Sequence, residues 1–315
     1  MNLADIHSKY SESYEFLHAR KRRQVQQLVL LNNLQRGDQN ISSTLLITLF
    51  NRILSAHYRD RLNVKFLPSQ GINQNQINSF NTLAQSDYQE MGKARMDYDW
   101  AWDALFFGRG YCETLRFNKK RKCMEPSIIN PLVFGYDPYF ENVQDWRYYW
   151  KWVTKSKWEL QKLIKAKVIT GIKKPEDIPS GVDTTLWDYK IKLDQARMGT
   201  APATDTQAGD VYQILEFFGH DENGDKSVVW VDKSFSKILF TQKLDMEDGD
   251  EYVAPDGTTV EAGSRWPIIV KESYRQPHSS LPFSIADLLD DKHRAKSVLL
   301  NLAFISAKDE ANPVY

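Results

Sequence analysis

Between Phe107 and Leu160 the sequence changes both its period and its punctuation, and this segment constrains the fold more than any other. Upstream, Ile77, Phe80, Ala84, Tyr88, Met91, Arg95, Tyr98, Trp102 and Leu105 recur at steps of three and four, the pattern of a helix with one buried face. That pattern halts at Gly108-Arg109-Gly110, where glycine can end a helix in the left-handed conformation without steric cost. Tyr111 to Phe117 and Met124 to Ile129 then read as short strands around a polar turn, Asn118 to Lys122, which predicts a hairpin. Pro131 forces Asn130 out of helical geometry, and Leu132 to Tyr136 predict a third short strand that stops at Asp137-Pro138. Ser156 followed by Glu159 has the spacing of a capping box and predicts a new helix.

The rest of the chain divides by period. Tyr14 to Leu34 and Ile41 to Arg61 have helical spacing, parted by Gly37-Asp38, and Leu62, Val64 and Phe66 alternate as a short strand does. Ala196 to Gly209 is poor in large apolar residues and predicts an exposed loop. From Val211 the pattern turns to short strands separated by turn sequences such as Asp221-Glu222-Asn223-Gly224-Asp225, and Ser284 with Asp287 opens a last helix whose apolar stripe runs through Leu288, Leu299 and Leu302. The expected fold is α+β. Its expected parts are a helical region with an inserted hairpin and aromatic strand (1–195), a loop (196–210), a β-rich subdomain (211–282) and the start of a long C-terminal helix (283–315).

Charge excludes some classes of function. The 315 residues carry 41 Lys+Arg against 41 Asp+Glu, so any attraction to nucleic acid or membrane must be local. A conduit through which DNA slides is compatible with this balance, because a strongly basic lining would hold the duplex. The apolar runs Leu45 to Leu54 and Val298 to Ile305 are too short to span a bilayer. Cys112 and Cys123 lie on the two arms of the expected hairpin, within possible reach of each other; with no signal-peptide pattern the chain reads as intracellular, and both are expected as reduced thiols.

Candidate sites are few. Asp137, Glu141 and Asp145 are the one carboxylate set that could serve a magnesium-dependent phosphodiester hydrolase, the alternative function; no general base or nucleophile accompanies them, and Pro138 and the aromatic cluster favour a structural corner. The six histidines show no metal-ligand spacing, and no cofactor is expected. Gly108-Arg109-Gly110 is too short for a phosphate fingerprint. The basic run Arg20 to Arg23 is expected on a solvated helix face. Trp146, Tyr148, Trp150 and Trp152 put aromatics along an extended segment, with Tyr149 on the alternate face; both faces must be buried, in the subunit core or at a subunit contact.

The order of these features, a long helix, Gly-x-Gly, a hairpin, Pro131-x-Val133, Asp137-Pro138, an acidic residue at Asp145, an aromatic strand and a helix opening Ser156-x-x-Glu159-Leu160, resembles the portal or head-to-tail connector proteins of tailed bacteriophages, the podovirus type in particular. The resemblance implies a non-enzymatic structural subunit with a helical wing region, a β-rich subdomain and a stem-type helix. It implies a dodecameric ring at one capsid vertex of the virion, assembled in the host cytoplasm, through which double-stranded DNA is packaged and ejected. The implied partners are the terminase large subunit, a tail adaptor (head-completion) protein and the major capsid protein, with no membrane. It further implies a stem helix along the DNA channel, with some of Lys292, Arg294, Lys296 and Lys308 as candidates to lie near the passing phosphates, while Trp146, Tyr148, Trp150 and Trp152 are candidates for a subunit interface. The clip that follows this helix in the family lies beyond the sequence.

Overall fold

A computed structural model describes residues 1–31, 45–59, 73–90, 93–118, 123–181, 211–222, 224–244, 251–253, 259–261, 266–275 and 279–311. The described part is mixed helix and sheet. Its helices are α1 (Leu3–Leu31), α2 (Leu45–Arg59), α3 (Gln74–Glu90), α4 (Lys93–Phe107), α5 (Lys157–Lys165) and α6 (Ile285–Ala311). Its strands are β1 (Arg109–Asn118), β2 (Cys123–Ile129), β3 (Phe134–Tyr136), β4 (Tyr148–Ser156), β5 (Val211–His220), β6 (Lys226–Asp232), β7 (Ile238–Lys243), β8 (Glu251–Val253), β9 (Thr259–Glu261) and β10 (Ile268–Glu272). The expected strand at Leu62 to Phe66 and the loop at 196–210 lie outside the described residues.

The chain forms two compact units. The first comprises Met1–Arg36, Leu132–Trp266 and His278–Ser280; the second comprises Gly37–Pro131, Pro267–Pro277 and Leu281–Tyr315. These cut across the divisions expected from local sequence. α1 groups with the sheet that begins at β3, and β4 pairs with β5 along its whole length, from Tyr148 opposite Gly219 to Ser156 opposite Val211. The 1–195 and 211–282 segments therefore share one sheet, because a two-sided apolar strand needs neighbours wherever in the sequence they lie.

In the first unit that sheet runs in the order β3-β4-β5-β6-β7, antiparallel throughout. One face packs Tyr148, Trp150, Trp152, Leu215, Phe217, Val229 and Val231 against Ile6 of α1, with Met1, Leu3 and Tyr10 at the margin. The other face meets Leu160 of α5 and Ile169, Ile172 and Ile178 of the turns after it. α1 also closes the open edge of β3, since Ser13 Oγ donates to the Tyr136 carbonyl (2.9 Å) and Lys21 Nζ to the Phe134 carbonyl (2.5 Å). An uncovered edge strand is a template for unwanted pairing, and these side chains occupy alternate carbonyls along it.

In the second unit β10-β1-β2 form a three-stranded antiparallel sheet, and α4 packs on β1 while α6 packs on α2 and α4. The long periodic pattern from Ile77 to Leu105 is helical in α3 and α4, and residues 91–92 between them lie outside the described residues. α4 ends at Phe107, followed by Gly108 at φ 86°, the left-handed geometry expected there. Gly110 is needed for another reason: a Cβ on it would lie 2.6 Å from the Trp100 carbonyl oxygen. Cys112 and Cys123 do not face each other, because Cys112 pairs with Ile128 while Cys123 pairs with Asn118, well along the hairpin; Cys112 is a buried free thiol.

Candidate functional site

The Asp137-Pro138 corner is built to be rigid. Asp137 is fully buried, and Arg147 grips it with Nε on Oδ2 (2.6 Å) and the guanidinium NH2 on Oδ1 (3.0 Å), while the backbone N–H groups of Tyr139 and Arg147 donate to the same carboxylate. Those hydrogen bonds raise the Arg147 pKa further above its ordinary value. Asn142 caps the short turn after the corner, accepting from the Gln144 N–H and donating to Asp145 Oδ2 (3.1 Å), and Trp146 Nε1 donates to the Phe140 carbonyl. The corner projects Tyr139, 68 % exposed, and Phe140, 38 % exposed, with the Arg147 guanidinium 5.1 Å from the Tyr139 ring centre. Glu12 of α1 accepts from the Tyr148 hydroxyl (2.9 Å), and burial together with Glu12 pushes the Tyr148 pKa up.

Asp137, Glu141 and Asp145 were the candidate carboxylate set. Asp137 spends its oxygens on Arg147 and two backbone donors, and Glu141 and Asp145 point outward as exposed residues. Among the described residues no group of three or more His, Cys, Asp or Glu side chains is arranged to hold a metal ion.

The interface candidates Trp146, Tyr148, Trp150 and Trp152 are buried inside the chain. Tyr148, Trp150 and Trp152 lie under α1, while Trp146 stacks on Tyr136 with centroids 4.7 Å apart and accepts, through its carbonyl, the Trp266 Nε1–H at 2.8 Å. Tyr149, on the opposite face to Tyr148, stacks on Phe218 at 4.3 Å. The subunit contact expected of these aromatics is thus corrected: α1, β5 and Trp266 already cover the faces a neighbour would need.

Lys21 corrects a second expectation. Within the basic run Arg20 to Arg23 it is buried, not solvated, with Nζ on the Phe134 carbonyl and 4.9 Å from the centre of the Trp150 ring. Burial lowers its pKa from 10.5 to about 7. The sequence held the signal, since residue 21 is one helical turn from Leu17 and from Val25, both on the buried stripe of α1.

Arg109, between the two glycines, is 4 % exposed and pairs with Glu272 of β10 at 2.6 Å, tying the end of α4 to the sheet. This side chain has a structural partner 163 residues away, which no local pattern announces.

α6 carries the channel candidates. Ser284 and Asp287 cap it reciprocally, with the Ser284 N–H on Asp287 Oδ2 (3.1 Å) and the Asp287 N–H on Ser284 Oγ (2.9 Å). Lys292, Arg294 and Lys296 are exposed; Arg294 is held by Asp290 at 2.7 Å, and the side chain of Lys308 lies outside the described residues. The helix also leaves Leu288 (52 %), Val298 (57 %), Leu299 (66 %) and Leu302 (57 %) in water. Among the described residues no helix is long and apolar enough to cross a membrane. Comparison of the chain with protein-family models finds no match, and comparison with curated proteins finds none either.

Proposed function

We propose that this chain is a subunit of a phage portal, the ring at one capsid vertex through which double-stranded DNA is packaged and ejected. The observation that carries the reading is the order of parts: α4, a left-handed Gly108, the β1-β2 hairpin, the Asp137-Pro138 corner, aromatic β4 and capped α5 follow one another as the portal resemblance implies. The exposed cluster of Val298, Leu299 and Leu302 on α6 supports it, since grouped apolar side chains in water mark an interaction surface. At about 1.5 Å rise per residue the 27 residues of α6 extend for about 40 Å, enough for a wall segment of a duplex-wide channel. In this reading some of Lys292, Arg294, Lys296 and Lys308 meet passing phosphates weakly, as sliding requires. The terminase large subunit, the tail adaptor and the major capsid protein are its partners. Negative-stain microscopy of the purified protein tests it: rings with a central hole are expected, and a stable monomer at micromolar concentration rejects it. Incubation with duplex DNA and magnesium is expected to leave the DNA intact; cleavage abolished both by Asp137→Ala and by Asp145→Ala, the latter at an exposed side chain whose loss spares the fold, would favour the hydrolase instead.

A further inference from the structure

β4 runs through the sheet of the first unit, and its two ends carry opposite charge. Its nine residues, at about 3.3 Å each, hold those ends about 27 Å apart. At the C-terminal end, α5 and the turns after it expose Lys162, Lys165, Lys167, Lys173 and Lys174, none in an ion pair among the described residues. The nearby acids are engaged. Glu159 is spent on the Ser156 cap, whose hydrogen bonds lower its pKa; Glu176 holds Lys157 at 2.8 Å; and Asp177 accepts the Lys173 and Lys174 backbone N–H groups. Trp158, 62 % exposed, stands among these lysines with Lys162 Nζ 3.6 Å from its ring centre.

The N-terminal end of β4 is the converse. The rigid corner presents Tyr139 and Phe140 beside exposed Glu141 and Asp145. The pairing of Tyr148 with Gly219 brings the β5-β6 turn to the same end, and Glu222 there is 88 % exposed. The cations at this end are already held: Arg147 by Asp137, Lys243 by Asp225 at 2.6 Å, the Met1 ammonium 3.9 Å from Glu222, and Lys226 over the Trp266 ring, so that among the described residues Glu141 and Asp145 are the acids of the corner with no ion pair.

Screening decides what these ends can do. At physiological salt the Debye length is about 8 Å, so charges at opposite ends of β4 barely feel each other within one chain. Each end therefore attracts an external partner. A second copy displaced along the strand direction offers to each end the complementary one, an acidic aromatic corner to a lysine face that carries a tryptophan. Such a contact joins two different surfaces, so it is head-to-tail and can close into a ring.

We propose that the lysine face of α5 docks on the acidic Tyr139-Phe140 corner of a second copy of this chain. Trp158, Tyr139 and Phe140 are the apolar anchors, and the charges form the rim, the anatomy of protein interfaces in general. Bracing by Asp137–Arg147 and by the Trp146 Nε1–Phe140 bond means the corner needs no ordering on docking, which keeps the entropic cost low. Duplex DNA would meet the same lysines but would make no use of the acidic corner. The inference rests on the portal reading only in requiring that copies associate.

The test uses two charge-reversed full-length variants. One carries Lys162→Glu, Lys165→Glu and Lys173→Glu; the other carries Glu141→Lys and Glu222→Lys. All of these side chains are exposed, and circular-dichroism melting confirms that each variant folds. In mass photometry and negative stain, each variant alone is expected to lose assembly at least about tenfold relative to wild type, and an equimolar mixture to regain it, because every junction in the mixture is again complementary. High salt should weaken wild-type association. Wild-type assembly by either folded variant, or a mixture that stays monomeric, overturns the docking. So does a lysine variant that keeps its rings and loses only retention of duplex DNA, which would make the face a DNA site. Rings in wild type and in both variants overturn the docking and leave the portal reading standing; mixture-dependent association without rings in wild type supports the docking and overturns the portal.

Discussion

Lys21→Met should make the first unit more stable at neutral pH and less stable at high pH. In the folded chain the Lys21 amine is buried and its pKa falls from 10.5 to about 7. The unfolded chain keeps the higher value, so between pH 7 and 10.5 the unfolded state binds more protons, and stability rises with pH across that window. One pKa unit is about 1.4 kcal/mol, so burying this group costs about 4 kcal/mol near pH 7, and the cost fades to nothing above pH 10.5. Met fills a similar volume without a charge. It also leaves the Phe134 carbonyl without the Lys21 donor, at a cost of about 1–3 kcal/mol that does not vary with pH. The variant should therefore gain about 1–3 kcal/mol at pH 7, lose that advantage by about 1.4 kcal/mol per pH unit, and fall below wild type between about pH 8 and pH 10. Urea unfolding followed by tryptophan fluorescence from pH 6.5 to 10 reads this difference, because Trp150 lies beside the substitution. A gap between the two proteins that does not change with pH would refute the reasoning, whatever its sign.

Asp103 of α4 titrates in the opposite sense: burial, and then the charge of Asp99, raise its pKa from 3.8 to about 8. Its protonated form is favoured by folding, so stability is lost as pH rises from about 4 to 8; Asp103→Asn should be more stable by about 1–3 kcal/mol at pH 8 and indistinguishable at pH 4, as read by pH-dependent urea unfolding. Gly135→Ala should destabilise by about 2–4 kcal/mol, since the new Cβ would overlap the buried Trp150 ring across the β3-β4 pair; an unchanged urea midpoint would contradict it. Leu299→Asp should leave the melting of the monomeric fold within about 1 kcal/mol of wild type, because the side chain is 66 % exposed, while abolishing ring assembly in mass photometry.

What the sequence determined by itself is local. The arrest of the helical period at Gly108, the capping boxes Ser156-Glu159 and Ser284-Asp287, the β1-β2 hairpin and the short strands after Val211 were all legible, because each rests on hydrogen bonds and torsions within a few residues. The Asp137-Pro138 corner was legible as a stop. Its Arg147 clamp was not, although only ten residues separate the two, because nothing in the pattern says which way a solvent-capable arginine turns. What the tertiary structure decided is which distant surfaces share a core. β4 had to be buried on both faces, yet only the three-dimensional chain could supply α1 for one face and Phe218 with Trp266 for the other, and so turn expected interface aromatics into core. The same packing buried Lys21 in a run that reads as solvated and joined Arg109 to Glu272, 163 residues away in the sequence. The physical reason is common to all three: desolvation depends on everything packed around a group, and that neighbourhood is assembled from segments whose separation along the chain carries no local signal.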